Sequence, residues 1–400
     1  MSSILPRFDF RAEYAQANDI GSSRSQYEDR TLIAPQIAVF GVADGMGGHQ
    51  AGEVAAEHAV REVERVLSAR AAQRAVEAYV TRSDLGARRQ MYSELRHAME
   101  QANATIRADA QSNPERGGMG TTLDVVWLAR DHAFIGHAGD GRVYLARQRA
   151  VLQLTQDHVA QGKSDGFGRG NAYRSGITNA LGISDVLTVD TLFVDVTRGD
   201  RLLLCSDGVY GQLDGEAELS ELLREGTPKD AAAALIARAA RLGRDNATAI
   251  VIEVGERFVK RSDQDRGLGA QDLERARQSP LLADLPLSFA LTALSAAVEI
   301  EVQAGEGIPR VVANDLVAYI VLDGVVDCGG ERRVGAGALL FPESLVGVPG
   351  VVDGLLAERP CRVLRVRADD FAEICAEPRL ASELYRRIAQ HLARSVARAG

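Results

Sequence analysis

The sequence has few cysteines, few aromatic residues and less basic than acidic charge. Four cysteines among 400 residues are too few and too irregularly spaced for a disulfide framework or a zinc site, so a reducing, cytoplasmic setting is expected. Lys and Arg total 46 against 55 Asp and Glu, and the net charge of -9 argues against a nucleic-acid-binding protein, which needs a basic surface. No apolar run of about 18 residues and no signal-peptide pattern is present, so neither a membrane span nor export is expected.

What remains is the composition of a folded protein. Hydrophobic residues make up 46% and charged residues 25% of the chain, which is typical of globular domains rather than disordered ones. The length predicts two or three domains, each large enough for its own core.

The first part of the chain mixes short β-rich segments with helical ones. Two strands are predicted within residues 31–44, with a break at Pro35. Helices are predicted from Glu53 onward, over Met91–Ile106 and around Ala231–Leu242. Further short strands are predicted at TTLDVVWLA, HAFIGHAG, RVYLA, VLQLT, VLTVDTLFVDV, RLLLCSD and ATAIVIEV. Many short strands with helices gathered into pairs predict an α+β fold, a sandwich of sheets with helices outside.

A charged segment, 255–280, separates this part from a second apolar pattern. Its mixed charges and sparse apolar residues predict a linker, partly helical. Within residues 281–400, a helix-like stretch gives way to short strands with turn glycines. A long closing helix is predicted where apolar residues recur every four positions, at Leu380, Leu384, Ile388, Leu392 and Val396.

Four aspartates lie at the ends of apolar strands, close to glycine. They are Asp44 in VADGMGG, Asp140 in GHAGDGR, Asp207 in LLCSDGV and Asp245 in GRDNATAIV. A single Asp-Gly after a strand is ordinarily a turn. Four such aspartates in one domain predict a shared site, because the ends of the strands meet at one edge of a sandwich. Clustered carboxylates repel one another, and a hard divalent cation with oxygen ligands relieves that repulsion. Mg²⁺ or Mn²⁺ is expected rather than zinc, and Gly45 and Gly208 would let backbone oxygen or water approach the metal.

Ordered motifs surround these aspartates. They are GSSRSQYEDR, VADGMGGHQAGEVAA, GMGTTL, GHAGDGRVYL, LTQDH, ITNALGI, GDRLLLCSDGVYGQL and DNATAIVIEV. In order and spacing, from Asp9 to Val254, they resemble the motifs of the bacterial PPM-type (type 2C) metal-dependent serine/threonine protein phosphatases. The resemblance implies a four-layer α/β/β/α sandwich over residues 9–254, and hydrolysis of phosphoserine and phosphothreonine on proteins.

The resemblance also implies a metal ligand set. Asp44 would bridge two Mn²⁺ or Mg²⁺ ions, with the Gly45 carbonyl on one of them. Asp207 and Asp245 would complete the protein ligands of the second ion. Asp140 would bind a third, weaker metal.

The same resemblance assigns catalytic roles to Arg24, Glu28 and Asp44. Glu28 would hold metal-bound water, with Asp29 beside it, and Arg24 would bind the substrate phosphate through its fork of donors. The two ions would lower the pKa of a bridging water, and the resulting hydroxide would attack phosphorus in line. No protein nucleophile is then needed, and the sequence offers neither a cysteine phosphate loop nor a Ser–His–Asp pattern.

Three positions depart from the family pattern. Tyr27 stands where Asn usually precedes Glu-Asp, and Gly211 takes a position that often carries a further aspartate for the third metal, which argues against full third-metal binding. The segment GKSDGFGRGN, where the family has a flap over the site, is short and glycine-rich. His49 is a candidate proton donor to the leaving alcohol, with a packed or solvated loop histidine as the alternative, and His158 is expected near the site.

The second apolar pattern contains LLADLPLSFALTALSAAVEIEVQAGEGI, NDLVAYIVLDGVVDCGG, VGAGALLFPES and ADDFAEICAEPRLASELYRRIAQHLA. In this order the segments resemble a cyclic nucleotide-binding domain over residues 281–400, which implies a smaller β jelly-roll domain with flanking helices. The segment that corresponds to the phosphate-binding cassette of that family departs from the family pattern. Glu343 is present, but Pro342 replaces a glycine and removes an N–H donor, and the arginine position falls near Val351. These departures favour a module that does not bind cyclic nucleotides over a cyclic nucleotide sensor.

The sequence therefore predicts an Mn²⁺- or Mg²⁺-dependent phosphoprotein phosphatase with a regulatory C-terminal module. Its expected partners are phosphorylated proteins and a Ser/Thr kinase of the same pathway, not nucleic acid or membrane. The alternative hypothesis is a catalytically weak, phosphatase-like scaffold that binds phosphoproteins, and the presence of Asp44, Asp207, Asp245 and Arg24 argues against it. A third hypothesis is control of the phosphatase by a cyclic nucleotide.

Overall fold

The chain folds into two compact units, Met1–Gly267 and Leu268–Gly400. The structure is a computed structural model and describes residues 3–47, 51–82, 85–148, 150–160, 176–241, 243–258, 270–294, 297–312, 315–329, 332–348, 355–375 and 378–399. Within these ranges, every helix is too short or too polar to cross a lipid bilayer.

The first unit contains strands and helices in mixed order. Its strands are β1 (Ser3–Ile4), β2 (Phe10–Asp19), β3 (Arg30–Ala34), β4 (Val39–Ala43), β5 (Gly45–Met46), β6 (Gly120–Thr121), β7 (Leu123–Ala129), β8 (His132–Ala138), β9 (Arg142–Arg147), β10 (Ala150–Gln153), β11 (Asp190–Asp195), β12 (Arg201–Cys205) and β13 (Ala247–Arg257). Its helices are α1 (Ala51–Ser68), α2 (Arg70–Arg82), α3 (Leu85–Ser112), α4 (Asp207–Tyr210), α5 (Glu216–Leu223) and α6 (Pro228–Ala240).

The strands form two main antiparallel sheets that pack as a sandwich. One sheet has the order β1-β2-β13-β12-β9-β10 and the other β11-β8-β7-β4-β3, while β5 and β6 form a separate ribbon. All residues of β4 and β7 are buried, so both faces of their sheet are covered. The β11-β8-β7-β4-β3 sheet packs against α1, α2 and α3 on its outer face. The β1-β2-β13-β12-β9-β10 sheet packs against α4, α5 and α6 on its outer face. The α+β prediction is confirmed, with helices outside and sheets inside.

Local sequence signals account for several element boundaries. The break predicted at Pro35 is a short 3-10 helix, Pro35–Ile37, between β3 and β4. Helix α6 begins three residues before its predicted start, because Pro228 occupies the first turn and Thr227 and Asp230 form a capping box. Strand β2 and helix α2 were not predicted. The alanine and polar residues of β2 have weak strand propensity, and the buried face of α2 carries two alanines beside Val76 and Tyr79.

The second unit is also built from antiparallel strands and helices. Its strands are β14 (Ala297–Val302), β15 (Val311–Val312), β16 (Asp315–Asp323), β17 (Val326–Asp327), β18 (Arg333–Val334), β19 (Leu339–Leu340), β20 (Leu356–Ala357) and β21 (Cys361–Arg367). Its helices are α7 (Ala270–Arg277), α8 (Leu287–Leu294), α9 (Ala368–Ile374) and α10 (Pro378–Ala399). One sheet has the strand order β14-β21-β16-β15, and β19 also pairs with β16. A smaller sheet has the strand order β18-β17-β20. The closing helix α10 forms as predicted and buries Leu380, Leu384 and Ile388.

The structure differs from the linker predicted over 255–280. Strand β13 continues to Arg257, and α7 belongs to the second unit. Helix α7 buries Leu273 and Ala276, and Asp272 accepts hydrogen bonds from the guanidinium of Arg362 at 2.7 and 3.1 Å. The helical part predicted within this segment is thus the short amphipathic helix α7, whose charges are partly paired within the unit.

Candidate metal and phosphate site

The structure brings the predicted aspartates together at one edge of the first unit. Asp44 directly follows β4, Asp140 lies just after β8, Asp207 follows β12 by two residues and Asp245 precedes β13. Burial, followed by the charges of Asp29 and Asp207, raises the pKa of Asp44. Burial and then the charge of Asp140 raise the pKa of Asp207 to about 7. The carboxylates are therefore close enough to repel one another.

The neighbouring threonines fix the backbone of Asp44. The Asp44 amide donates to Thr122 Oγ1 at 3.0 Å, and the Thr122 amide donates to the Asp44 carbonyl at 2.9 Å. Thr121 Oγ1 donates to the same carbonyl at 2.9 Å. Both threonines are buried, so they hold the strand end rigidly. They lie in the motif GMGTTL, which is the sequence signal that could have identified them.

Close packing explains the two glycines beside the aspartates. A Cβ atom on Gly45 would lie 2.2 Å from the Gly52 carbonyl oxygen and 2.7 Å from that of Glu28. A Cβ atom on Gly208 would lie 2.0 Å from the Asn246 carbonyl oxygen. Each glycine is thus needed for backbone packing around the site, a reason that the sequence reasoning did not include.

Arg24, Glu28 and Asp245 form one charged cluster. Arg24 donates to Glu28 Oε2 at 3.3 Å and to Asp245 Oδ2 at 2.8 Å. The hydrogen bond with Asp245 is the main reason that the pKa of Arg24 is raised. The Asn246 side chain accepts from the Glu28 amide at 2.7 Å and donates to the carbonyl of Gln26 at 3.1 Å. Asn246 therefore holds the loop that carries Arg24 and Glu28 against the start of β13.

Tyr27 belongs to a buried network behind the cluster. Thr248 Oγ1 and Ser206 Oγ both donate to Asp29 Oδ2, at 2.6 and 2.9 Å, and the Tyr27 hydroxyl is hydrogen bonded to the Thr248 hydroxyl. The other oxygen of Asp29, Oδ1, is buried and has no hydrogen-bond partner among the described residues. Burial raises the pKa of Asp29. At the Tyr27 position, the departure from the family pattern thus adds a hydroxyl that supports Thr248.

A second layer of residues holds the turn that carries Asp140. Gly139 donates to His158 Nδ1 at 3.1 Å, and the His158 amide donates to the Gly139 carbonyl at 2.7 Å. Because Nδ1 accepts, the ring proton lies on Nε2, which donates to Asp190 at 3.0 Å. The Tyr210 hydroxyl donates to the Asp140 carbonyl at 2.8 Å. His158 therefore lies beside the site, as expected from the sequence.

His137 is buried, is bonded to Asp124 at 2.7 Å and packs on the His158 ring, with 4.7 Å between the ring centres, so its role is structural. Gly211 donates its amide to the Asp207 carbonyl at 2.9 Å, so this position presents backbone and no carboxylate. His49 and the segment GKSDGFGRGN lie outside the described residues.

The donor set fits a hard divalent cation. All the convergent side-chain donors are carboxylates, and burial followed by the charge of Asp157 raises the pKa of Asp140 to about 6. Bound positive charge would relieve this repulsion. Among the described residues, no three His, Cys, Asp or Glu side chains are spaced to enclose an ion on their own. Any bound ion would thus take part of its shell from backbone carbonyl and water oxygens.

Comparison with known proteins identifies the family. A family model for protein phosphatase 2C matches residues 23–237. The chain belongs to the protein phosphatase 2C family. The serine/threonine phosphatase stp of Listeria monocytogenes is 34% identical to this phosphatase over 221 residues, which cover 53% of this chain and 82% of that protein.

Solved structures agree with this assignment. The catalytic domain of the phosphatase PstP in complex with two manganese ions matches with a TM-score of 0.51 and 29% identity, over 61% of this chain and 99% of that one. PppA of Pseudomonas aeruginosa, described as a key regulatory component of T6SS, matches with a TM-score of 0.52 and 29% identity, over 61% of this chain and 97% of that one. This phosphatase 2C chain is a metal-dependent protein serine/threonine phosphatase that uses Mn²⁺ or Mg²⁺.

Proposed function

We propose that the first unit hydrolyses phosphoserine and phosphothreonine on proteins at the edge formed by Asp44, Asp140, Asp207 and Asp245. The observation that carries the proposal is the convergence of partly buried carboxylates beside one arginine, Arg24. Asp44, the Gly45 carbonyl, Asp207 and Asp245 would hold two Mn²⁺ or Mg²⁺ ions, and Asp140 a third. The bound ions supply Lewis-acid activation of water and neutralise charge on the phosphoryl oxygens.

The protein's own residues position the substrate in this proposal. Arg24 is 31% exposed on its side chain, and its contacts with Glu28 and Asp245 hold the guanidinium at the rim of the site. A bound phosphoryl group would displace these carboxylates from the guanidinium. The fork of donors on the guanidinium matches the geometry of a phosphate. Asn246 and the threonines beside Asp44 hold the backbone in place, so little rearrangement is needed when substrate binds.

Metal removal tests this assignment. The purified protein with Mn²⁺ is expected to release phosphate from a phosphothreonine peptide and to hydrolyse p-nitrophenyl phosphate, and EDTA should abolish both activities. Adding Mn²⁺ back in excess should restore them, because the carboxylates are held by the fold and do not depend on the metal for their position. Activity that persists after complete chelation would refute the proposed use of the carboxylate edge.

We further propose that the second unit is a regulatory module of cyclic nucleotide-binding-like, jelly-roll architecture, with residues 255–280 leading into it. Its antiparallel sheets and flanking helices support this assignment. At the cassette position, Arg310 lies 3.6 Å from Glu343 and its guanidinium lies 4.8 Å from the centre of the Phe341 ring. Glu343 is thus paired with a cation of its own unit, which disfavours nucleotide binding. Val351 lies outside the described residues.

A thermal-shift experiment on the full chain tests the second unit. Millimolar cyclic AMP or cyclic GMP is expected to leave the melting temperature unchanged, because a ligand stabilises a protein only in proportion to its binding. Inorganic phosphate serves as the matched control for a general anion effect. A rise with either cyclic nucleotide beyond that control would contradict the prediction and support nucleotide control.

The wider setting follows from the chemistry. Since a phosphatase removes phosphate, we propose that a Ser/Thr kinase acts in the same pathway. All four cysteines are free thiols, which supports a reducing, cytoplasmic location.

A further inference from the structure

We propose that Ile183 and Val186 form an apolar ledge that binds a hydrophobic side chain of the phosphoprotein substrate, about three residues from the phosphorylated one. The proposal rests on the proposed function of the carboxylate edge. The ledge would select among peptide sequences, which the metal and phosphate ligands of the site do not do.

The ledge is unusually exposed. Ile183 is 56% and Val186 74% exposed, the two largest exposed fractions of any large apolar side chain among the described residues. Single exposed apolar residues are common on protein surfaces, but two on one short loop are a candidate contact surface.

The loop that carries the ledge is firmly held. Asn103, which is buried, accepts from the Gly182 amide at 2.7 Å and donates to the Ser184 carbonyl at 2.9 Å. The Val186 amide donates to Ser184 Oγ at 3.2 Å. The two apolar side chains are therefore presented to solvent by a fixed backbone, and a substrate that contacts them loses little entropy in ordering the protein.

A continuous ladder connects the ledge with the carboxylate edge. Gly45 pairs with Thr121 and Met46 with Gly120. The Thr121 amide donates to the Leu181 carbonyl at 3.0 Å, and the Leu181 amide donates back at 2.9 Å. The Ile183 side chain lies beside Gly120, where an added Cβ would come within 2.7 Å of Ile183 Cδ1.

This ladder sets the distance. Gly120 lies one strand spacing, about 4.8 Å, from Met46, and the Ile183 side chain contacts Gly120, so that side chain lies roughly 10 Å from the backbone of Gly45 and Met46. An extended peptide advances about 3.3 Å per residue, so a chain whose phosphorylated residue sits at the carboxylates reaches the ledge about three residues away.

The chemistry of the ledge favours a peptide over other partners. Asp185, which is exposed, lies between the two apolar residues and would repel an anionic membrane surface. The ledge is also too small for a stable contact between two copies of the chain, since such interfaces bury about 800 Å² on each partner. The proposed occupant is therefore one hydrophobic side chain of the bound peptide.

Peptide kinetics with the Mn²⁺-loaded full chain test the ledge. Phosphothreonine peptides that carry Leu or Asn at the third position before or after the phosphothreonine are compared with p-nitrophenyl phosphate. The wild type is expected to prefer Leu on one side by about 10-fold in kcat/KM. The double variant Ile183→Ser/Val186→Ser should lose this preference through a higher KM, with p-nitrophenyl phosphate hydrolysis and melting temperature unchanged.

The matched control is Phe258→Ser, because Phe258 is 43% exposed and follows β13 at the end away from Asp245. It should keep the full preference for Leu. Absence of a preference in the wild type, its persistence in the double variant, or a dimer that the double variant dissociates would each overturn the ledge as a substrate contact. If the wild type fails to hydrolyse even p-nitrophenyl phosphate with Mn²⁺, the proposed function fails, and the ledge fails with it.

Discussion

Asp44→Asn is expected to lower kcat/KM for phosphopeptide hydrolysis by at least about 1000-fold, equivalent to about 4 kcal/mol of transition-state stabilisation. Asparagine keeps the size of the side chain and one oxygen ligand but removes the negative charge. Asp44 lies at the centre of the cluster, since the charges of Asp29, Asp207, Asp140 and Asp245 all act on it. In the proposed arrangement Asp44 would be a ligand of both main ions, so one neighbouring carboxylate could not offset its loss.

Two measurements separate this result from simple unfolding. Calorimetric titration should show weaker Mn²⁺ binding or a lost site in the variant, while the melting temperature of the metal-free protein stays the same or rises because one repelling carboxylate is gone. The matched control is Asp214→Asn, whose side chain is 77% exposed and outside the cluster, and it should keep wild-type activity. Wild-type kinetics in Asp44→Asn would rule out the proposed role of the carboxylate edge.

Much of this site could be predicted because its residues lie in short, contiguous motifs. Asp44 and Asp207 each follow an apolar strand and precede a glycine, so strand pattern and turn chemistry place them at an edge. The same reasoning predicted the break at Pro35 and the closing helix α10. In each case the signal lies within a few residues, and tertiary contacts do not override it.

What could not be predicted depends on partners that are distant in sequence. Asn246 bonds the carbonyl of Gln26, which lies 220 residues away, and the Tyr27 hydroxyl reaches Thr248 across 221 residues. No local pattern encodes such pairs. Strand β2 was missed for the same reason, because it is defined by its ladder with β13 and not by its own polar-rich sequence.

The buried ion pair between Arg142 and Asp157 leads to the second large prediction. Arg142 donates to Asp157 at 2.7, 2.9 and 3.2 Å, and their side chains are only 1% and 7% exposed. Arg142→Leu would leave a buried, unpaired carboxylate near Asp140, so the unfolding free energy of the first unit should fall by about 3–5 kcal/mol. The single tryptophan, Trp127, is fully buried in that unit, so its fluorescence in urea reports this unfolding alone.

Two further variants decide between loss of the pair and loss of packing. Arg198→Leu breaks an ion pair with Glu256 whose side chains are 72% and 71% exposed, and it should cost less than about 1 kcal/mol. The double variant Arg142→Leu/Asp157→Leu should recover most of the stability lost in Arg142→Leu, because no buried charge is then left unpaired. Equal costs for Arg142→Leu and Arg198→Leu would show that the buried pair does not stabilise the turn of Asp140. A double variant as unstable as Arg142→Leu would instead assign the loss to the packing of the guanidinium on the Tyr210 ring, 3.7 Å away.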